Sequence, residues 1–308
     1  MATSPLKLGW IGIGRMGYAM AERLAKTGAD VTVWNRTRAK AEPLQTVGAK
    51  IATSLVDLAA CDIVFVMVST WDDVKQVVAG PGGLLSGDRA PRLVVECSSI
   101  SIDGSAELRA LLASRGVELL AAPVSGNAKV IKAGRLSFVC SGPKSAFDTA
   151  LPWLKAIAPS ASYVGDGELS RIVKICHNVF LGVVTQSLAE ITVLAQKAGV
   201  PRHAFLEFMN QSVMGSTFSR YKSPAFVNLD FKVTFTPKLL RKDLDLGLDA
   251  ARAHDVPMPL ASLTRDLVQT LIGHGMDEED FAKLIVLQAM ASGIELAPEN
   301  VPVDDGLS

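Results

Sequence analysis

Gly9-Trp10-Ile11-Gly12-Ile13-Gly14-Arg15-Met16-Gly17 is the most informative segment of the chain. It places a G-x-G-x-x-G directly after an apolar strand, Lys7–Ile13, and at the opening of a helix, Met16–Thr27. Gly12 permits a tight turn, Gly14 lets backbone approach a pyrophosphate, and Gly17 lets helix and strand pack closely. The N–H groups and dipole of a helix start favour an anion. Turn glycines also occur where nothing binds. Here a second strand, Asp30–Trp34, completes the context that dinucleotide binding requires.

Outward from that loop, short apolar runs alternate with helical patterns. Strands are expected at Lys7–Ile13, Asp30–Trp34, Ile63–Val68, Arg92–Glu96, Glu118–Ala122 and Ser137–Ser141. Helices are expected at Met16–Thr27, Arg38–Val47, Leu55–Ala60, Asp72–Ala79, Ile102–Arg115 and Ser145–Ala158. The strands read as nearly continuous apolar runs, as in a parallel sheet covered on both faces. Their alternation with helices implies right-handed crossovers and an α/β, doubly wound parallel sheet.

After Gly167 the pattern changes. Leu169–Gly199 reads as one long helix, apolar nearly all round, of the kind buried between domains or subunits. Helices follow at Arg202–Gln211, Thr236–His254, Pro259–His274 and Glu279–Ser292, with no strand among them and a loose tail from Ala297 to Ser308. The reading is therefore a dinucleotide-binding domain over residues 1–166 and an all-helical domain over 167–308. The apolar helix also predicts a homodimer, with a tetramer as the alternative.

Composition narrows the function. The 308 residues carry 31 Lys+Arg against 31 Asp+Glu, so no basic excess points to nucleic acid and no basic run to a membrane surface. Met1 to Leu8 is short and polar, without a signal-peptide pattern. Apolar runs such as Ile63–Val68 are too short to span a bilayer. Cys61, Cys97, Cys140 and Cys176 lack metal or disulfide spacing and read as reduced thiols of a cytoplasmic protein. His177, His203, His254 and His274 share no ligand spacing, so no metal is expected.

The end of the second strand speaks to which dinucleotide binds. NAD sites usually carry a carboxylate there for the ribose hydroxyls. This chain has Asn35-Arg36-Thr37. Arg36 can fork onto a 2′-phosphate, with Asn35 and Thr37 donating beside it. NADP(H) is the expected cofactor, with NAD(H) also possible; an exposed arginine on a loop is the plain alternative.

Four separated motifs carry a likeness to a known family. They are the glycine loop with Asn35-Arg36-Thr37, Ala122-Pro123-Val124-Ser125-Gly126, Lys174-Ile175-Cys176-His177-Asn178, and Lys242-Asp243-Leu244. In order and spacing the chain resembles the β-hydroxyacid dehydrogenases, 3-hydroxyisobutyrate dehydrogenase-like enzymes whose C-terminal domain is similar to that of 6-phosphogluconate dehydrogenase. The resemblance implies hydride transfer between NADP(H) and a small β-hydroxy acid or its semialdehyde. It implies Lys174 as general acid and base, with Asn178 positioning the reacting oxygen. Ser125, Gly126 and Asn127, with Lys174 and Asn178, would hold the substrate and its carboxylate. Gly12, Ile13, Gly14, Arg15, Met16, Gly17, Met67, Val68, Ser69, Ser98, Phe235 and Lys242 would line the cofactor.

Residue chemistry agrees in part. Lys174 and Asn178 are one helical turn apart and share a face. A lysine on a buried helix needs a reason, because a lone ammonium is costly to desolvate; snorkelling or a structural pair is the plain reading.

Departures from the family are Ala121 for Asp, Asn127 for Gly, Val130-Ile131 for Gly-Ala, His177 for Asn, and a longer approach, Gly165 to Arg171. They put the usual substrates in doubt. His177 either joins the site or simply packs. Gly215 to Thr217 and Arg220 to Lys222 read as a polar, solvated turn, and Lys242 could merely pair with Asp243. Two other readings stay open: an imine reductase, disfavoured by Lys174, and a silent cofactor-binding scaffold, disfavoured by Lys174 with Asn178.

Overall fold

In the computed structural model, which describes residues 6–307, the first unit is built on βαβ crossovers. The reading of Met1 to Leu8 rests mostly on residues 1–5, which lie outside the described residues, as does residue 308. The chain divides between Lys174 and Ile175 into two units. In the first, β1 (Lys7–Ile11), α1 (Arg15–Ala25), β2 (Asp30–Trp34), β3 (Lys50–Ile51), β4 (Ile63–Val66), α2 (Trp71–Ala79), β5 (Leu93–Glu96), α3 (Ile102–Ala113) and β6 (Glu118–Ala121) follow in order. Their strands form one parallel sheet in the order β3-β2-β1-β4-β5-β6. The order reverses between β1 and β4, where open α/β sheets leave a crevice for ligands.

Burial explains the sheet. Every residue of β4 and β5 is buried, and successive side chains face opposite sides. Leu8, Trp10, Phe65 and Val95 join Met20 and Leu24 of α1 in one core. Ile11, Val64, Val66 and Val94 join Val74 and Val78 of α2, and Leu108 and Leu112 of α3, in the other. Each such side chain contributes about 1.5–3 kcal/mol. Register then aligns Trp34, Ile11, Val66, Glu96 and Ala121 in one row at the carboxyl edge. Glu96 is the only charged member of that row, and it is fully buried.

Beyond β6 come β7 (Val124–Ser125), α4 (Ala128–Lys132), β8 (Ser137–Cys140), α5 (Lys144–Ile157) and β9 (Ser160–Tyr163). The order β7-β8-β9 makes a second, small sheet, joined to the end of β6 by a bridge between Ala121 and Ser141. Two expected helices are shorter turns. Arg38–Val47 is two 3-10 turns, Arg38–Lys40 and Glu42–Val47, and Leu55–Ala60 is a 3-10 turn, Val56–Ala60. In the latter, Asp57 gathers the Thr53 and Ser54 N–H groups at 2.9 Å, a local turn that competes with helix.

The helix α6 (Leu169–Lys197) begins in the first unit and continues into the second. There it is followed by α7 (Arg202–Gln211), α8 (Thr217–Asn228), α9 (Pro237–Ala253), α10 (Pro259–Gly273) and α11 (Leu284–Ala291). Among the described residues no strand follows Tyr163. With 29 residues, α6 is long and apolar enough to match a bilayer span, contrary to the expectation that no run reaches that length. Half of its most apolar window is buried.

Helix α8 replaces the expected polar turn. Ser216 is its cap: the Ser216 hydroxyl accepts from Ser219 N–H at 3.0 Å, and the Ser219 hydroxyl accepts from Ser216 N–H at 2.9 Å. Turn residues were the helix start, and Pro224 inside the helix hid the rest.

The tail is also held, against the expectation of a loose end. Glu299 accepts from the N–H groups of Arg202 at 2.7 Å and His203 at 2.9 Å, and buried Arg202 donates to the Ala297 carbonyl at 2.5 Å. These bonds satisfy donors that the start of α7 would otherwise leave open.

Lys222, read from the sequence as solvated, is buried instead. Its ammonium donates to Asp280 at 2.6 Å and to the Thr234 hydroxyl at 2.9 Å, and lies 4.2 Å from the Phe281 ring centre. Burial pushes the Asp280 carboxyl up, but the Lys222 charge and the hydrogen bonds it accepts outweigh this and hold it below its usual value. A depressed folded-state pKa adds stability above the unfolded value, which is lost as pH falls through the folded value. We expect Asp280→Asn to cost about 3–5 kcal/mol at neutral pH. Urea unfolding at successive pH values should show the wild type losing stability below about pH 4 and the variant losing less.

Candidate active site

The first unit gathers its candidate residues at the carboxyl ends of neighbouring strands. Gly12 follows β1, Asn35 follows β2, Met67 follows β4 and Ser98 follows β5. Gly12 N–H donates to the Trp34 carbonyl at 3.0 Å, and Met67 N–H to the Ile11 carbonyl at 2.9 Å. These bonds extend the sheet register into the loops.

The three motif glycines separate by cause. Gly12 has φ +96°, and a Cβ there would lie 2.2 Å from the Met67 carbonyl oxygen. A Cβ on Gly17 would lie 2.0 Å from the Gly12 carbonyl oxygen, so this glycine is fixed by helix–strand packing. Gly14 is exposed and a Cβ there would meet nothing within 4 Å. The protein itself gives no reason for glycine at 14; close approach by a ligand does. Gly14 also caps α1 with no side chain accepting from the first turn, which leaves that turn suited to a phosphate. The loop therefore fits a dinucleotide, with Arg15 and Met16 in the same first turn.

Asn35 departs from its expected role. Its Oδ1 accepts from Ile13 N–H at 2.9 Å and its Nδ2 donates to the Thr37 carbonyl at 2.9 Å. The side chain thus ties the glycine loop to the end of β2, and both Asn35 and the Ile13 N–H are spent on that tie. Arg36 and Thr37 stay exposed. Arg36 makes a loose ion pair with Asp73 at 3.9 Å, its side chain being 88% exposed.

At the end of β5 the polar groups converge. The Ser98 hydroxyl accepts from Val68 N–H at 2.9 Å, and Ser98 N–H donates to Glu96 at 2.8 Å. Arg171 on α6 donates to the Ser98 carbonyl at 2.7 Å and to the Ser105 hydroxyl at 3.1 Å, and forms a short ion pair with Glu96. All four residues are buried. Beside them Ser170 N–H donates to the Ser141 hydroxyl at 3.0 Å, and the Ser170 hydroxyl to the Ala121 carbonyl at 3.2 Å. Arg109 holds the longer approach segment, donating to Glu168 at 2.6 Å and to the Gly167 carbonyl at 2.8 Å. The first turn of α6 is pinned to the ends of β5 and β6, and Lys174 stands on the next turn.

The Ser125-Gly126-Asn127 turn is shaped by the departures around it. Gly126 has φ +135°, and a Cβ there would come 2.8 Å from Val130. Val130 and Ile131 are both buried in α4, and Val130 packs against the turn at Gly126. Asn127, expected to serve a substrate carboxylate, caps α4, its Oδ1 accepting from Val130 N–H at 3.1 Å. Ser69 is exposed and Val68 half-buried at the end of β4.

In the second unit Asn178 is buried and donates through Nδ2 to Asp243 at 2.6 Å. Lys242 pairs with the other oxygen of Asp243 at 3.2 Å. Close packing permits this: a Cβ on Gly247 of α9 would lie 2.3 Å from Val179 of α6. His177 Nδ1 lies 2.9 Å from Asn178 Oδ1. Because Nδ2 is donated to Asp243, Oδ1 is the acceptor and His177 carries its proton on Nδ1. The histidine that replaces an asparagine thus fixes the Asn178 amide. Phe235 packs edge-on to Phe281, ring centres 5.9 Å apart, in the loop that Asp280 holds through Thr234 N–H at 2.9 Å.

Sequence reading placed Asp243 in a motif but missed the cluster of Glu96, Ser105 and Arg171 at the carboxyl edge of the sheet. A signal was present for two of the cluster: an acid closing an otherwise apolar strand, and an arginine on an apolar helix, each demanding a partner.

Comparisons with known proteins agree with the geometry. Residues 7–165 match the model of the NAD binding domain of 6-phosphogluconate dehydrogenase. Residues 169–288 match that of the NAD-binding region of NADP-dependent 3-hydroxyisobutyrate dehydrogenase. The chain is 30% identical to glyoxylate/succinic semialdehyde reductase 2 of Arabidopsis thaliana, over 91% of the chain and 78% of that protein. It is 30% identical to 2-(hydroxymethyl)glutarate dehydrogenase of Eubacterium barkeri, over 95% of the chain and 98% of that protein. A solved 3-hydroxyisobutyrate dehydrogenase from Salmonella typhimurium superposes with TM-score 0.82 at 25% identity, covering 92% of the chain and 99% of that structure. An imine reductase from Myxococcus stipitatus, at 22% identity and TM-score 0.58 over 90% of the chain and 98% of that structure, shares the fold.

Gly17 and Gly14 separate folding from binding. Gly17→Ala should lower the melting temperature by several degrees or prevent folding. Gly14→Ala should leave it within a few degrees and weaken NADPH binding about tenfold or more (about 1.4 kcal/mol), read by fluorescence titration.

Proposed function

From the premise that the chain belongs to the β-hydroxyacid dehydrogenase family, and is an NAD(P)-dependent oxidoreductase acting on the CH–OH groups of hydroxy acids, we propose that it interconverts a small β-hydroxy acid and its semialdehyde with NADP(H), using Lys174 for proton transfer. The observation that carries the reading is the fixing of Lys174. It stands one turn beyond Ser170 and Arg171, both bonded to the carboxyl ends of sheet strands, where ligands of such sheets bind.

When bound, the nicotinamide supplies or accepts the hydride. In reduction the Lys174 ammonium gives a proton to the carbonyl oxygen, and in oxidation its neutral amine takes the alcohol proton. Asn178, its amide fixed between His177 and Asp243, holds the reacting oxygen in line. The backbone of the Ser125-Gly126 turn and the Ser125 hydroxyl grip the carboxylate. The names of the reductase and dehydrogenase relatives described above suit this division, since glyoxylate, succinic semialdehyde, 2-(hydroxymethyl)glutarate and 3-hydroxyisobutyrate all pair a carboxylate with an aldehyde or an alcohol.

The NADP(H) preference rests on the end of β2. No carboxylate follows the strand, Asn35 is occupied internally, and exposed Arg36 remains to meet a 2′-phosphate. Phe180 and Leu194 on α6 are exposed large apolar residues, which supports a homodimer or tetramer. Four free cysteines suit a reducing, cytoplasmic setting. The imine reductase reading is the weaker one, because such enzymes generally lack the lysine.

NADPH oxidation should be followed against glyoxylate, succinic semialdehyde and a cyclic imine, and NADP+ reduction against 3-hydroxyisobutyrate and 2-(hydroxymethyl)glutarate. Turnover of the carboxylates and not the imine is expected. Lys174→Met should then abolish turnover and leave NADPH affinity within about threefold, a change under 1 kcal/mol; near-normal kcat in the variant removes the assignment. Arg36→Ala should weaken NADPH about tenfold or more and NADH little, a loss in the range of a charge-assisted contact. Equal loss for both would refute the phosphate contact.

A further inference from the structure

We infer that the buried Glu96–Arg171 ion pair is a positioning device for proton transfer, setting Lys174 against the loop that follows β5. The inference rests on the proposed role of Lys174 and adds residues that neither the motifs nor the mechanism above used.

Glu96 is the last residue of β5 and Arg171 the third of α6, and both are essentially sealed from solvent. Every guanidinium nitrogen has a job: one on Glu96, one on the Ser98 carbonyl at 2.7 Å, one on the Ser105 hydroxyl at 3.1 Å. The other oxygen of Glu96 accepts from Ser98 N–H at 2.8 Å, and the Ser98 hydroxyl accepts from Val68 N–H at 2.9 Å. One arginine on α6 therefore touches the strand end, the loop after β5 and the body of α3 together. Lys174 is three residues further, on the same side of the helix and about 4.5 Å along its axis.

Stability alone does not account for such a pair. Taking two charges out of water costs about what their attraction returns, and neutral side chains of similar volume often serve as well or better. What a forked, fully bonded arginine adds is direction. An apolar contact lets a helix slide by fractions of an ångström, whereas three hydrogen bonds of fixed angle do not. Misplacement by about 1 Å can cost a hundredfold in rate. Because the pair is neutral as a whole, it sets geometry without adding net charge near the lysine.

The test is the double variant Glu96→Gln/Arg171→Met, which removes both charges and leaves no buried ion alone. We expect its melting temperature to stay within a few degrees of wild type. We expect kcat for the fastest carboxylate of the panel to fall tenfold or more, with KM for NADPH within threefold. The deuterium isotope effect on kcat with 4-deuterated NADPH should rise. In the cofactor-free protein, amides of residues 169–176 should exchange at least tenfold faster while α1 is unchanged. A kcat within twofold of wild type, or unchanged exchange in that segment, overturns the inference. Should the double variant not fold, Arg171→Lys keeps the charge and gives up the fork; the same kcat loss is expected, and a kcat within twofold again overturns it. Lys174→Met measured alongside separates the two ideas. An inactive Lys174→Met with a normal double variant sinks only the positioning claim, whereas an active Lys174→Met sinks the proton-transfer reading and this inference with it.

Discussion

A buried carboxylate at the end of a parallel strand cannot stand alone, and the arginine that answers Glu96 is what ties α6 to the sheet. Desolvation makes the bond compulsory: either partner alone would leave a charge in a sealed, low-dielectric interior. Arg171 is drawn to one place, and with Ser170 on the ends of β5 and β6 the first turn of the helix has no freedom left. Everything carried by the next turn inherits that precision. The same logic recurs in the second unit, where Asp280 must be met by Lys222 and in the meeting fixes Thr234 and the loop containing Phe235.

A division of labour within the glycine loop follows from simple geometry. Two of its three glycines are required by the fold, since any side chain would strike a carbonyl oxygen. The third is required by nothing inside the protein. A loop whose shape is fixed by its own packing, with one position left bare at a helix start, is preorganised for an anionic ligand. Asn35 completes that shape by accepting from Ile13 N–H, so the residue read as a phosphate donor is part of the loop's frame. We propose that exposed Arg36 is the residue left to discriminate between cofactors.

Much of this was legible in the chain. Continuous apolar strands, alternation with helices and the glycine spacing specify the doubly wound sheet, because period and burial are local properties of sequence. Helical spacing put Lys174 and Asn178 on one face, while the roles expected of them came from the family resemblance. What could not be read depends on contacts distant in sequence. Glu96 and Arg171 are 75 positions apart, and only the folded register brings them together. Local signals also misled where one residue type serves two purposes. Ser216 reads as turn but caps α8, Asn127 reads as a ligand contact but caps α4, and Lys222 reads as solvated but is sealed beside Asp280. The tail was expected to be loose because chain ends commonly are, yet Glu299 is held by two backbone N–H groups.

We propose that one amine, fixed by the first turns of α6, moves the proton when the hydride moves. A crystal structure with NADP+ and a bound β-hydroxy acid tests it most directly. Lys174 Nζ should lie within hydrogen-bonding reach, about 2.6–3.2 Å, of the substrate hydroxyl on the carbon facing nicotinamide C4. An amine directed into bulk solvent, with that hydroxyl held by another group, would contradict it.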